Sequence, residues 1–274
     1  MKADLHNHTR ASDGILNVLE LVQYASKKGI DIVGITDHDS VDAFNYDIDK
    51  SPILIIKGVE LSTYCNNENI HLLGYFKDNE IPEEIKIILK HFQEKRKDRI
   101  KKMLQKLKEY FNINIEYKEL EKYQLEGTIG RPHVAQAIEE KYNIPFREVF
   151  DRFIGNDKPA YVPTENLGFK EAIELLHNNN AIAIIAHPYL IKKNNIKDLI
   201  LLGVDGIEVR YSKHSKEEEK LFYKIAKKHN LLITGGSDFH RYKENLEDTD
   251  IGDGIIENKE LKIFLESLNI KIKE

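Results

Sequence analysis

The sequence predicts an α/β protein with a largely parallel sheet, open or closed into a barrel, and with helices interrupting its middle. Three observations predict it. Short β-branched runs alternate with helix-period segments, the pattern of strands covered on both faces. The alternation stops between about Pro82 and Thr164, where strand character nearly vanishes. On both sides of that gap the strand ends carry the same kind of residue: His, Asp, Glu or Arg. That likeness favours one body split by an insertion over two domains in series. The expected division is residues 1–89 and 164–274 as the catalytic body, with 90–163 as a helical insertion covering its mouth.

Ala3–His6 opens the chain as an extended segment. His6 and His8 are two apart, so in extended backbone both imidazoles point to one side. Asp13 follows on a turn that Gly14 helps to bend. Two neutral imidazoles and a carboxylate suit Zn, Mn or Fe, although an isolated His-x-His pair is weak evidence on its own. Leu16–Lys28 reads as an amphipathic helix closed by Gly29. Further strands are expected at Ile30–Thr36, ending in Asp37-His38-Asp39; at Ile53–Leu61, carrying Glu60; and at Ile70–Tyr75, carrying His71. A long helix runs from Pro82 through Tyr110, with Arg96 and Arg99 on one face. Shorter helices follow at Tyr117–Gln124, His133–Lys141 and Pro145–Phe153. Phe169–Asn178 is a helix before the strand Ala181–His187. Lys197–Leu202 precedes the strand Gly206–Tyr211, which carries Arg210. Lys216–His229 precedes Leu231–Gly235, which leads into Ser237-Asp238-Phe239-His240, and Asn258–Leu268 is the last helix. Sites in such folds lie at the carboxyl ends of the parallel strands, so seven strand ends would direct these polar groups to one mouth.

Composition narrows the classes. The chain has 274 residues, 41% of them apolar, and a net charge of −5, so no general field draws it to nucleic acid. An anionic substrate needs a local basic pocket or a metal. Cys65 is the only cysteine, which excludes an intramolecular disulfide and fits a reducing cytoplasm. No apolar run approaches membrane-spanning length, and the first residues carry no apolar leader. No membrane partner is expected.

Five ordered stretches resemble the metal motifs of the PHP (polymerase and histidinol phosphatase) family: Asp4-Leu5-His6-Asn7-His8-Thr9, Gly34-Ile35-Thr36-Asp37-His38-Asp39, Gly58-Val59-Glu60-Leu61-Ser62, Ile184-Ile185-Ala186-His187-Pro188 and Gly236-Ser237-Asp238-Phe239-His240. The resemblance implies a distorted seven-stranded β/α barrel with a trinuclear metal site. Carried over, His6, His8, Glu60 and Asp238 would bind one metal. Glu60, His71 and His187 would bind a second, and Asp13, His38 and His240 a third. Asp13 stands where some members have histidine. Gly130-Arg131-Pro132-His133 and the stretch from Phe150 to Pro163 resemble small stand-alone phosphoesterases of the family. Those remove the 3′-phosphate of nucleoside 3′,5′-bisphosphates, and some degrade short RNA from the 5′ end.

The chemistry expected is hydrolysis by a hydroxide shared between two divalent metals, manganese first and iron or zinc as alternatives. Asp37 would orient a ligand, and His38 or His240 would protonate the leaving group. Ser62 and Cys65 have no base beside them and are expected to be structural. Arg96, Arg99, Arg131, His133, Lys158, Arg210 and His214 are the candidates for substrate grip, because guanidinium and ammonium groups hold phosphate. The expected partner is a small phosphate ester or nucleotide. Short 5′-phosphorylated oligonucleotides are the alternative, and a histidinol-phosphate-type phosphatase or a non-catalytic metal-binding module stands further off.

Overall fold

A computed structural model describes residues 1–46, 48, 51–123, 129–163, 167–243 and 249–271. The chain runs β1 (Lys2–Asp4), α1 (Val18–Lys27), β2 (Ile32–Ile35), β3 (Leu54–Cys65), β4 (Glu68–Phe76), α2 (Glu83–Phe111), α3 (Tyr117–Leu120), α4 (Arg131–Tyr142) and α5 (Phe146–Val149). It continues β5 (Leu167–Gly168), α6 (Phe169–Asn178), β6 (Ala181–Ile185), α7 (Ile196–Ile200), β7 (Gly206–Tyr211), α8 (Lys216–His229), β8 (Leu232–Gly236), β9 (Ile256–Glu257) and α9 (Asn258–Ser267). Local chemistry sets many of these bounds. Asn17 accepts from the Glu20 N–H and Glu20 returns the bond, a capping box that starts α1; Gly29, at φ +75°, follows its end. Ser215 and Glu218 start α8 in the same way.

The sheet order is β8-β7-β6-β4-β3-β2-β1-β9, with β5 added beside β3. It nearly closes on itself. Leu5 N–H donates to Gly235 C=O at 3.0 Å, Asp238 N–H to His6 C=O at 2.9 Å and His8 N–H to Phe239 C=O at 2.9 Å. The α/β barrel-like architecture is therefore as expected. The seven expected strands all form, and β5 and β9 add two short ones among the described residues.

One strand runs against the expected direction. β4 is antiparallel to both β3 and β6. Asn66 and Asn67, at φ +44° and +61°, make the two-residue turn of a hairpin whose twist matches its strands. The hairpin extends β3 well past Leu61, through β-favouring Thr63 and Tyr64. Because β4 is reversed, His71 reaches the mouth from near the strand's beginning and not from its end.

Four apolar clusters form among the described residues. Inside the barrel, Ile56 of β3, Leu73 and Tyr75 of β4 and Ile184 of β6 pack on Leu261, Phe264 and Leu265 of α9, so the last helix fills one end. Side chains alternate across a strand, so Glu60 shares Ile56's inward face and His71 shares that of Leu73 and Tyr75. The filled end thus leaves the polar residues of the same faces at the other end.

Between β4 and β5 the described residues contain no strand. A separate apolar cluster forms there from Met103 and Leu107 of α2, Val134 and Ile138 of α4, Phe153 and Ala160. The expected boundary at residue 90 falls inside α2, which joins the helical cluster to the core on the barrel's outer side. Its Ile85 and Leu89 lie in the barrel's outer core. The expected helix at Pro145–Phe153 appears as α5 followed by a wider π turn over Phe150–Ile154. The expected helix end at Gln124 and the start of the second barrel segment at Thr164 lie outside the described residues.

Candidate metal centre and its surroundings

All nine expected ligand side chains converge at the open end of the barrel. His6 and His8 lie just past β1, and their Nε2 atoms are 3.2 Å apart. Glu60 Oε2 is 3.3 Å from His6 Nε2 and 3.1 Å from His8 Nε2; Asp238 Oδ1 is 3.4 and 3.1 Å from the same atoms. His71 Nδ1 and His187 Nε2 are 2.9 and 3.0 Å from Glu60 Oε1. His240 Nε2 is 3.3 Å from Asp13 Oδ1. Three groups can each surround one cation: His6, His8, Glu60 and Asp238; His38, Glu60 and His71; and His8, Asp13, His38 and His240. The overlaps put Glu60 between the first two groups and His8 and His38 in two each.

The donors fit metal better than they fit one another. Asp13 Oδ1, His38 Nδ1, Glu60 Oε2 and His71 Nδ1 are buried without a hydrogen-bond partner among the described residues. Orphaned buried acceptors of this kind cost free energy unless a cation satisfies them. Electrostatics point the same way. Burial opposes ionisation of Glu60, Asp13 and Asp238, yet neighbouring imidazoles hold all three carboxyls below their ordinary range. Burial also opposes charge on His8, but hydrogen bonds to Asp238 and Glu60 push it up to about 10. Buried His38 moves the other way, to about 3.

The backbone is arranged around this centre. Gly236 lets β8 pass so close to β1 that an added Cβ would sit 2.4 Å from the His6 backbone nitrogen. Gly14 has the same role against the His8 carbonyl, 2.2 Å from such a Cβ. His187, Asp238 and Asp39 all have positive φ, at +26°, +54° and +49°. Non-glycine residues persist there only when their surroundings over-determine them. Asp4 supplies part of that restraint. It accepts from Ser237 N–H at 2.9 Å, Gly252 N–H at 2.8 Å and Asn7 Nδ2 at 3.0 Å, which pins the loop carrying Asp238. Burial raises this carboxyl to about 6.

The Asp37 C=O accepts the N–H of Glu60 at 3.1 Å, while its carboxylate turns to the loop after His8. It accepts from Thr9 N–H at 2.7 Å and Ser12 Oγ at 2.5 Å, and Ser12 Oγ lies 3.4 Å from His8 Nδ1. It fixes the turn that delivers Asp13.

Glu208 went unnoticed in the sequence. Fully buried, it lies 3.1 Å from His6 Nδ1 through one oxygen and accepts His187 N–H at 2.7 Å through the other. The signal was present, since Glu208 shares the inward face of β7 with Gly206. Tyr211 was also missed; its hydroxyl donates to Asp238 Oδ2 at 2.9 Å.

The substrate-grip candidates divide. His38, His71, His187 and Asp13 share a cavity of about 360 Å³ with Arg96, Arg99 and Arg131. Arg96 pairs with Asp39 and donates to Ser62 Oγ at 2.8 Å, so its charge is largely met. Arg99 donates to Val162 C=O, and Arg131 to Asn156 Oδ1 at 2.9 Å; neither has a carboxylate partner among the described residues. Burial and the other arginines lower Arg99 to about 10. His133 is buried and accepts the Gly130 N–H at 3.0 Å, fixing the turn that presents Arg131.

Three further candidates do not line that cavity. Lys158 is exposed on the turn after the π-helical segment, and Asn156 lines the cavity in its place. Arg210 is exposed because a bulge between Glu208 and Arg210 breaks the alternation that would have turned both inward. His214 is held away by a bond to Val209 C=O at 2.8 Å and by packing on Tyr189, Tyr211 and Phe222.

Comparison with known proteins adds independent findings. The PHP domain matches residues 4–162. His187, Asp238 and His240 lie beyond that span. Similarity to curated proteins continues through most of the chain. It is 32% identical over 251 residues to the 5′-3′ exoribonuclease of Haemophilus influenzae, spanning 87% of this chain and 90% of that one. It is 28% identical over 247 residues to the 3′,5′-nucleoside bisphosphate phosphatase of Chromobacterium violaceum, spanning 86% of each. A solved structure from Bifidobacterium adolescentis, assigned by inference as a metal-dependent phosphoesterase, superposes with a TM-score of 0.84 at 25% identity. That match covers 97% of this chain and 96% of the other.

Proposed function

The chain belongs to the PHP domain family and is a metal-dependent phosphoesterase; from that premise we propose that it removes the 3′-phosphate of nucleoside 3′,5′-bisphosphates, as in adenosine 3′,5′-bisphosphate to AMP. One observation carries the proposal. A single cavity is lined both by Asp13, His38, His71 and His187 of the donor grouping and by Arg99 and Arg131, which have no carboxylate partners among the described residues. A cation-binding grouping and unpaired guanidinium groups in one cavity suit a substrate with two phosphates.

In this reading His6, His8, Glu60 and Asp238 hold one divalent cation. Glu60, His71 and His187 hold a second, and Asp13, His38 and His240 a third, with manganese the first choice. Bound there, such cations neutralise phosphoryl oxygens and lower the pKa of a coordinated water towards neutrality. Arg99 and Arg131 take the 5′-phosphate, and their guanidinium forks fix its orientation. Arg96, tied to Asp39, anchors α2 to the end of β3. Glu208 and Tyr211 keep His6, His187 and Asp238 in position. His133 holds the Arg131 turn.

A second reading is 5′→3′ cleavage of short 5′-phosphorylated oligonucleotides, favoured by the likeness to the Haemophilus exoribonuclease. Both readings break the ester at the 3′-oxygen of a nucleotide anchored by its 5′-phosphate. With Mn²⁺ supplied, inorganic phosphate released from a 3′,5′-bisphosphonucleoside would support the first. Preferential release of a 5′-mononucleotide from a 5′-phosphorylated dinucleotide would support the second. Turnover of neither would overturn both.

A further inference from the structure

The centre has a second opening. Besides the cavity with Arg99 and Arg131, a separate one of about 290 Å³ is lined by Pro132, Phe146, Lys213, Arg241 and Thr249 together with Asp13, Asp238 and His240. Asp13 and Pro132 border both cavities, so the donor grouping lies between two cationic openings. Arg241 places its guanidinium 5.4 Å from the Phe146 ring centre, and Phe146 is half-buried at the wall. Neither Arg241 nor Lys213 pairs with a carboxylate of the described residues.

A nucleoside bisphosphate has no atoms beyond its 3′-phosphate. With its 5′-phosphate at Arg99 and Arg131 and its 3′-phosphate at the donor grouping, the second opening is surplus. A strand that continues past the scissile phosphate needs such an exit. It would offer a base, which an aromatic face accepts, and then another phosphate, which Arg and Lys accept.

We infer that this second opening is a downstream subsite for single-stranded oligonucleotide. Phe146 carries the base that follows the scissile phosphate, and Arg241 and Lys213 hold the next phosphodiester. The inference rests on the nucleotide reading above and deepens it: the same centre would select for strand length through residues that a bisphosphate never meets.

The test compares three substrates with Mn²⁺-loaded protein and its double variant Arg241→Gln/Lys213→Gln: a 3′,5′-bisphosphonucleoside, a 5′-phosphorylated dinucleotide and a 5′-phosphorylated trinucleotide. Only the trinucleotide carries the downstream phosphodiester. The expected result is a fall of roughly tenfold in kcat/KM for the trinucleotide, the scale of one or two charge-assisted contacts. Turnover of the other two should stay unchanged. The salt dependence for the trinucleotide should also become shallower, because fewer counterions are displaced. Both side chains are at least partly exposed, and a melting curve matching the parent's would confirm that the variant folds. Equal loss on all three substrates, or no loss on the trinucleotide, would overturn the subsite and leave the bisphosphate reading standing. If the parent protein turned over none of the three, the nucleotide reading and the subsite would both fall.

Discussion

Glu208 is where one buried carboxylate serves two histidines, through His6 Nδ1 and the His187 N–H. Partners of this kind set the tautomer and direction of a ligand imidazole, and their loss typically costs about 10–100-fold in metal affinity. Glu208→Gln keeps the shape and one acceptor. It should bind Mn²⁺ more weakly by about that factor in equilibrium titration, with activity partly restored by excess metal. An unchanged affinity would show that Glu208 is only packing. His8 gives a second expectation. Burial opposes its charge, but Asp238 and Glu60 raise it from 6.5 to about 10. In metal-free protein its contribution to stability is therefore complete below about pH 6.5 and is lost as pH rises through about 10. Glu60 shifts downward, so its contribution is present above its ordinary 4.5 and is lost on acidification. A metal entering at pH 7 must displace the His8 proton. Calorimetry in buffers of different ionisation enthalpy should register proton release at pH 7; an absence of release would contradict the shift.

Among the elements, the β3–β4 hairpin decides whether His71 reaches the centre. Its turn depends on positive φ at Asn66 and Asn67. Asparagine tolerates that region and glycine is at ease there, whereas a β-branched residue is not. Asn67→Gly should leave stability nearly unchanged. Asn67→Val should lower it by about 1–2 kcal/mol in denaturant unfolding, with activity retained well below the melting temperature. Helix α2 has a different task. Its first turns lie in the barrel's outer core and its later turns in the helical cluster, and Arg96 and Arg99 sit between. One helix thus sets where Arg99, proposed to take the 5′-phosphate, stands relative to the donor grouping.

Across the whole molecule, the cost of crowding carboxylates and imidazoles at one barrel end is met when cations bind. Chelation should therefore lower the melting temperature, and Mn²⁺ at about a hundred times its Kd should restore roughly 2.7 kcal/mol for each site filled. Glu60→Gln removes the residue shared by two donor groups, and most of that metal-linked gain should go with it in thermal scans. A melting temperature indifferent to chelator would deny that the grouping is a metal centre. The filled end, packed by Phe264 and its neighbours on α9, should supply the metal-independent part of the stability.

Much of this was legible in the chain. The β-branched runs, the caps and the His-x-His spacing act locally, and a local cause leaves a local mark: α6 and α8 begin and end where their residues say. The five polar motifs also marked His6, His8, His38, Glu60, His187, Asp238 and His240, and Asp13 and His71 stood out beside them, one on the turn after the first motif and one in the fourth strand. What the sequence could not hold was direction and register. That β4 runs backwards depends on a two-residue turn whose consequence appears only when β6 pairs with β4. That Glu208 points in and Arg210 points out depends on a bulge created by pairing with β8. Lys158 and Asn156 are two residues apart on one turn, yet only Asn156 lines the cavity. Residue type and spacing determined which groups this protein has for chemistry. Strand pairing, a relation between distant segments, decided which of them meet.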